Sequence, residues 1–286
     1  MFTLGSALRK LRTPLLALFL LTLMGRCAIR ASAASALARA KERGHRLFIC
    51  TGRSAPEVYP RFFDLGFEGI VGGAGGYAAV GSTVLLDERM PAEHVQALTR
   101  MWEELGAFYV WQGPDQMGPS RGYLDFFVPR AGENPQDWVE YGESVTPFVV
   151  DIEGGSFTKV TAYVRPENAS MERISAALPD GYRAIIGSVG AAGYVPFEVL
   201  PTRLSKAVGI EAVCEHLGIP LSRSVAIGDS NNDVEAVARA GVGISIGDGC
   251  EALVEVADIV APAVGDDGFA WALAAAGLID EAPNPA

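Results

Sequence analysis

Three polar groupings carry residue types that can handle a phosphoryl group. Thr51-Gly52-Arg53 joins a hydroxyl, free backbone N–H groups and a guanidinium at the end of a predicted strand, and such a turn can hold a phosphate. Taken alone, the tripeptide reads first as an ordinary turn that caps a helix. Lys206 opens a predicted helix after Phe197–Pro201, where an ammonium can neutralise phosphate charge; a single lysine is more often a solvated surface residue. Gly228-Asp229-Ser230-Asn231-Asn232-Asp233 gathers carboxylates and amides at another strand end. Hard oxygen ligands of this kind suit Mg²⁺, which takes one or two carboxylates and keeps several waters. The same composition also makes an Asx-rich turn that caps the next helix.

The elements that must position these groups alternate. Residues 32–44 predict a helix with Ser32 or Ser35 as N-cap and Gly44 as its stop. Arg46–Cys50 predicts a strand, Ala55–Leu65 a helix, and Gly69–Val71 a strand running into the glycine-rich stretch 72–76. The rhythm returns from Leu204. It gives a helix over Ser205–Leu217, a strand at Ser224–Ile227, a helix at 233–240, strands at Gly243–Ile246 and Asp258–Val260, and a helix over Gly268–Ala276. This pattern predicts an α/β fold, a doubly wound, Rossmann-like parallel sheet with its ligands at the carboxyl ends of the strands. The middle of the chain differs. Strands are expected at Thr83–Leu86, Tyr123–Val128, Phe157–Val164 and Tyr182–Ser188, and helices at Pro91–Leu105 and Glu167–Leu178. The expected organisation is a core from residues 1–76 and 193–286, with an α+β domain inserted at 77–192.

In this order and spacing the three groupings resemble the haloacid dehalogenase-like (HAD) phosphohydrolases. The branch they resemble is the Cof-type one with a type IIB cap, which contains many sugar-phosphate phosphatases. FICTGRS (48–54) is similar to the second motif, Lys206 within RLSKAVGIEAVCEHLGI to the third, and GDSNND (228–233) to the fourth. The stretch 241–273 resembles the family's C-terminal end, and the resemblance spans about residues 32–280. It implies that Thr51 hydrogen-bonds the transferring phosphoryl group, with Gly52 and Arg53 beside it. Lys206 would balance the charge of nucleophile and phosphate. Asp229 would ligate Mg²⁺, while Asn232 and Asp233 would complete the phosphate and metal shells. The inserted domain would act as a cap that excludes water and selects a small phosphorylated metabolite, such as a sugar phosphate. Tyr109, Trp111 and Tyr123 could stack on a sugar, although core packing is the first expectation for each.

One part of the family pattern is missing. The first motif, Asp-x-Asp-Gly-Thr, should close the first strand; its first Asp attacks phosphorus and its second is the general acid/base. Leu15–Leu20 is the right kind of strand, but Leu21–Cys27 reads LTLMGRC. Residues 1–41 hold seven Lys or Arg and no acidic residue, whereas the remaining 245 hold 16 basic and 34 acidic. As written, the chain lacks nucleophile, acid/base and one metal carboxylate, and residues 21–31 are anomalous. The codons CTG ACA TTG ATG GGA CGC TGC encode LTLMGRC. Read from the third base, they give Asp-Ile-Asp-Gly-Thr-Leu. A segment translated out of frame accounts for the gap, and the alternative is a catalytically silent relative that still binds phosphate through Thr51 and Lys206.

The same N-terminal run has a further reading. A basic front, the apolar residues 14–24 and the small residues behind them outline a secretory signal peptide, cleaved after Ala33 or Ala34. The run is too short for a stable membrane span. Without export, the compartment is cytoplasmic, which suits four cysteines (Cys27, Cys50, Cys214, Cys250) that form no Cys-x-x-Cys pair. A net charge of −11 argues against a nucleic-acid partner. A hydrophobic content of 49% excludes a disordered chain. Oligomeric state is not legible.

Overall fold

The strand-forming runs assemble into two separate sheets. They are seen in a computed structural model that describes residues 17–20, 29–131, 136–247 and 249–281. The chain runs β1 (Ala17–Leu20), α1 (Ala31–Glu42), β2 (Arg46–Cys50), β3 (Gly69–Gly72), β4 (Tyr77–Val80) and β5 (Thr83–Asp87). It continues through α2 (Ala92–Glu104), β6 (Phe108–Gln112), β7 (Met117–Pro119), α3 (Tyr123–Phe127), α4 (Gln136–Val145), β8 (Lys159–Val164), α5 (Met171–Ala176), β9 (Tyr182–Ile186) and β10 (Val195–Pro201). The last part holds α6 (Lys206–His216), β11 (Ser224–Gly228), α7 (Val234–Arg239), β12 (Val242–Ile246), α8 (Glu251–Val256), β13 (Ile259–Ala261) and α9 (Gly268–Ala275).

One compact unit comprises residues 1–52, 60–86 and 205–286. Its sheet has the order β13-β12-β11-β1-β2-β3-β4-β5. The strands from β13 to β3 are parallel, and β4 returns antiparallel to β3. Parallel strands are covered on both faces, which explains runs such as Leu47–Cys50 and Val225–Ile227, buried at every position. Phe48, Cys50 and Ala226 pack with Ile210 and Val213 of α6, Ala236 of α7 and Leu253 of α8. Leu47, Ile49, Val225 and Ile227 alternate to the opposite face, and α1 and α9 pack together against the sheet. The apolar N-terminal run thus supplies β1, a central strand with Leu20 in register with Ile49 of β2 and Ile227 of β11. Residues 21–28, where the missing motif and the shifted reading frame fall, lie outside the described residues.

The second unit comprises residues 53–59 and 87–204. Its antiparallel sheet has the order β7-β6-β8-β10-β9. One face is apolar: Trp111, Val160, Ala162, Val164, Phe197 and Val199 pack with Val95, Leu98 and Trp102 of α2 and Ile174 of α5. On the other face β8 presents Lys159, Thr161 and Tyr163, two residues apart. Aromatic side chains of α3 and α4 cluster with Tyr163.

The compact units change over at 87 and 204, where the expectation stood at 77 and 192. The reason is pairing: β4 hydrogen-bonds to β3 of the first sheet, while β10 lies between β8 and β9 of the second. Three local expectations also change. Tyr123–Val128 is expected as a strand, but Tyr123, Phe126 and Phe127 recur at helical spacing and are buried on one side of α3. The helix expected near Ala55–Leu65 is two 3₁₀ segments, Ala55–Glu57 and Pro60–Leu65, because Pro60 removes a donor and restrains the residue before it. Arg30, not Ser32 or Ser35, precedes the first turn of α1, and Ser32 instead donates to Asp267 at 2.6 Å. Among the described residues, no helix is long and apolar enough to cross a membrane.

Candidate active site

The carboxyl ends of β2 and β11 flank that of β1, so the turns after Cys50 and Gly228 lie on either side of the end of β1 at Leu20. After β2, the Thr51 N–H donates to the Val71 carbonyl at 2.8 Å, and the Thr51 carbonyl accepts from the Ala74 N–H at 3.3 Å. These bonds fix the turn against the glycine-rich stretch that follows β3. Thr51 itself is buried.

That stretch also positions the lysine. Gly75 has φ +96°, and a Cβ on it would lie 1.9 Å from the Ser205 carbonyl oxygen and 2.9 Å from the Lys206 nitrogen. Only glycine lets the first turn of α6 approach this closely. Lys206, the first residue of α6, is 3% exposed. Its Nζ donates to Asp233 Oδ1 at 2.5 Å and to Asn232 Oδ1 at 3.0 Å. Burial pulls the pKa of this ammonium down, but the Asp233 carboxylate, with a smaller contribution from Asp229, holds it above the ordinary lysine value. Burial pushes the Cys50 thiol well up, so Cys50 is a neutral packing residue rather than a nucleophile.

The turn after β11 is wound around Asp233. Its Oδ2 accepts from the Ser230 N–H at 3.0 Å, the Ser230 Oγ at 2.8 Å and the Asp229 N–H at 3.1 Å. A capping box between Ser230 and Asp233 sets this geometry. Gly228 leaves room for it: a Cβ there would come within 2.5 Å of the Asp233 Cβ. Both oxygens of Asp233 are therefore committed, one to Lys206 and one to the turn. Asp229 keeps an exposed edge. Desolvation of its inner side, then the charge of Asp233, push its carboxyl up to about 6, against the pull of Lys206.

The structure brings together Thr51, Gly52, Lys206, Asp229, Asn232 and Asp233. A Cβ on Gly52 would stand 3.5 Å from Asn232 Nδ2, which joins the turns after β2 and β11. Arg53 is not in this group. It belongs to the second unit, where its guanidinium lies 5.3 Å from the Trp138 ring centroid and donates to the Glu57 carbonyl at 3.3 Å. Tyr109, Trp111 and Tyr123 are buried in the second unit, which fits core packing. Two contributors escaped the sequence reading. Ser230 supplies donors to Asp233, and its Ser-x-x-Asp spacing is the signal. Gly75 admits α6, and only its glycine-rich neighbourhood hints at that.

The donor chemistry around Asp229 bears on a cation. Among the described residues, no three His, Cys, Asp or Glu side chains form a metal cluster. With Asp233 committed to Lys206, Asp229 is the carboxylate this turn offers. That fits Mg²⁺ only as an ion drawing most of its ligands from water and phosphate oxygens.

A sequence profile described as haloacid dehalogenase-like hydrolase matches residues 22–273. YkrA of Bacillus subtilis (strain 168), whose name assigns it provisionally to the phosphatases, is 25% identical over 243 residues, 85% of this chain and 89% of that protein. A hypothetical protein of Geobacillus kaustophilus HTA426 superposes with a TM-score of 0.73 at 26% identity, covering 92% of this chain and 99% of that one. The HAD subclass IIB sugar phosphatase BT4131 shares the fold, with a TM-score of 0.73 at 21% identity over 93% of this chain and all of its own.

Proposed function

The chain belongs to the haloacid dehalogenase-like hydrolase family, and from that premise we propose that its site serves Mg²⁺-dependent hydrolysis of a phosphomonoester. The substrate is a small phosphorylated metabolite, a sugar phosphate, and the attacking carboxylate is absent from the sequence as written. The observation that carries this reading is a buried, charged Lys206 fixed by Asp233 and Asn232 beside a second carboxylate, Asp229. An ammonium held in a water-poor setting is oriented before any anion arrives, and such preorganised charge is what phosphoryl transfer uses.

Each residue has a part. The Thr51 hydroxyl and the N–H groups after it hold phosphoryl oxygens. Lys206 neutralises the charge they carry, and Asn232 keeps Lys206 and the phosphoryl group aligned. Asp233 holds Lys206 in its charged form. Asp229 would hold Mg²⁺, which when bound supplies charge neutralisation at the phosphoryl oxygens. The attack on phosphorus and the proton for the leaving group belong to residues just after β1, and residues 21–27 as written contain no acid. That observation favours a second reading for this exact sequence, a protein that binds phosphate without turning it over. We assign it to the cytoplasm, because cleavage after Ala33 or Ala34 would remove β1 from between β2 and β11. Its net charge of −11 argues against a nucleic-acid partner.

The test compares two proteins on p-nitrophenyl phosphate with Mg²⁺. One has the sequence as written, and the other has residues 21–26 rewritten as Asp-Ile-Asp-Gly-Thr-Leu. Turnover is expected only from the second, and Asp229→Ala in that background lowers it by orders of magnitude. Turnover by the sequence as written would remove the need for the first motif. A folded but inactive rewritten protein would end the phosphatase reading.

A further inference from the structure

The side-chain amide of Asn232 has a fixed direction. Its Oδ1 accepts from Lys206 Nζ at 3.0 Å and from the Ser230 hydroxyl at 2.7 Å. An ammonium only donates, so the amide atom turned to Lys206 is the oxygen. The N–H₂ points the other way, and Nδ2 stands 3.5 Å from where a Cβ on Gly52 would lie. The amide donors of the turn after β11 are thus presented to the turn after β2, both within the first unit.

The Ser230 hydroxyl also reaches Asp233 Oδ2 at 2.8 Å, so one proton serves two acceptors. The two acceptors do not need it equally. Asp233 Oδ2 already receives the backbone N–H groups of Asp229 and Ser230. Asn232 Oδ1 has Lys206 and this hydroxyl, and Lys206 is the group that turns to an arriving phosphate. When it does, the hydroxyl still holds the amide oxygen in place. We propose that Ser230 is a positioning residue for substrate binding: its hydroxyl keeps the Asn232 N–H₂ aimed at the turn after β2, where a phosphoryl oxygen accepts from it. This rests on the phosphatase reading above and adds to it a residue that touches no substrate. Its loss falls on affinity rather than on the chemical step.

The experiment uses the rewritten full-length protein with p-nitrophenyl phosphate and Mg²⁺, reading kcat and KM separately. Ser230→Ala is expected to raise KM about tenfold with kcat within about threefold, the size of one lost hydrogen bond at a charged group. Ser230→Thr keeps the hydroxyl and should stay within about twofold of the parent in both constants. Ser230→Cys has nearly the parent's shape and a weak donor, and should raise KM about threefold even if the alanine variant fails to fold. Asn232→Ala should raise KM at least as much as Ser230→Ala, and the double variant should be no worse than Asn232→Ala alone, because one residue acts through the other. A serine that served only the Asp233 cap would loosen Lys206 instead, so kcat would fall and the two losses would multiply. That pattern, or an unchanged KM in folded Ser230→Cys, would overturn the positioning role while leaving the phosphatase reading intact. A parent that turns over no ester would overturn that reading and this inference with it.

Discussion

Lys159 and Lys206 are both buried ammonium groups with a carboxylate oxygen at 2.5 Å, one in each unit. Lys159 reaches from β8 to Glu198 on the neighbouring strand β10, and the two charges balance. Lys206 faces a turn that holds two carboxylates, and one of them, Asp233, is already the acceptor for three donors of its own loop. Desolvation of its inner side, then the charge of Asp233, raise the Asp229 carboxyl to about 6. A balanced pair can be a device of structure alone. A turn that keeps a surplus carboxylate against its own stability points to a ligand, since functional sites are where such unfavourable charge persists.

The contrast can be broken by removing charges one at a time. Lys206→Met and Lys159→Met each strand a buried carboxylate and should each cost about 3–5 kcal/mol in urea unfolding. The next step removes the partner too. Lys159→Met with Glu198→Leu should return to within about 1 kcal/mol of the parent, because replacing both members of a buried pair is often neutral. Lys206→Met with Asp233→Leu should stay about 1–3 kcal/mol down, because the N–H groups of Asp229 and Ser230 lose their acceptor. Equal recovery by the two double variants would erase the distinction between the units.

The smallest effect is the most specific. The Asp229 pKa is raised in the folded protein, from an ordinary 3.8 to about 6, so the folded state binds the proton more tightly. Its contribution to stability is therefore greatest below pH 3.8 and is lost as pH rises through about 6. Asp229→Asn removes that loss. Its melting temperature should exceed the parent's at pH 7.5, and the gain should vanish by pH 4. Added Mg²⁺ should stabilise the parent at pH 7.5 and leave the variant unmoved. A variant no more stable than the parent at pH 7.5 would show that the surplus charge is not felt.

Much of the first unit was legible because its elements follow local rules. Arg46–Cys50 is an uninterrupted apolar run ending in a polar turn, and it forms β2 over those residues. Lys206 and the 228–233 turn were readable as a constellation because their residue types recur at fixed places on a sheet edge. What the sequence concealed was long-range. That Asp233 serves Lys206 before any metal depends on residues 27 positions apart. That Glu57 belongs with Gln112 and Tyr141 depends on separations of 55 and 84. The misread α3 shows the opposite failure, where a clustered apolar run read as a strand but the i, i+3, i+4 burial of Tyr123, Phe126 and Phe127 decided for a helix.

The placement of β1 has a consequence for how the gene is expressed. The half-sheet β2–β5 comes from the front of the chain and β11–β13 from its end, and β1 hydrogen-bonds to both. Met24 follows β1 in the sequence. A product started there would keep both half-sheets and lose the strand that joins them. Each would then present a bare hydrogen-bonding edge, at β2 and at β11, of the kind that recruits other copies. Such a product is expected in the insoluble fraction.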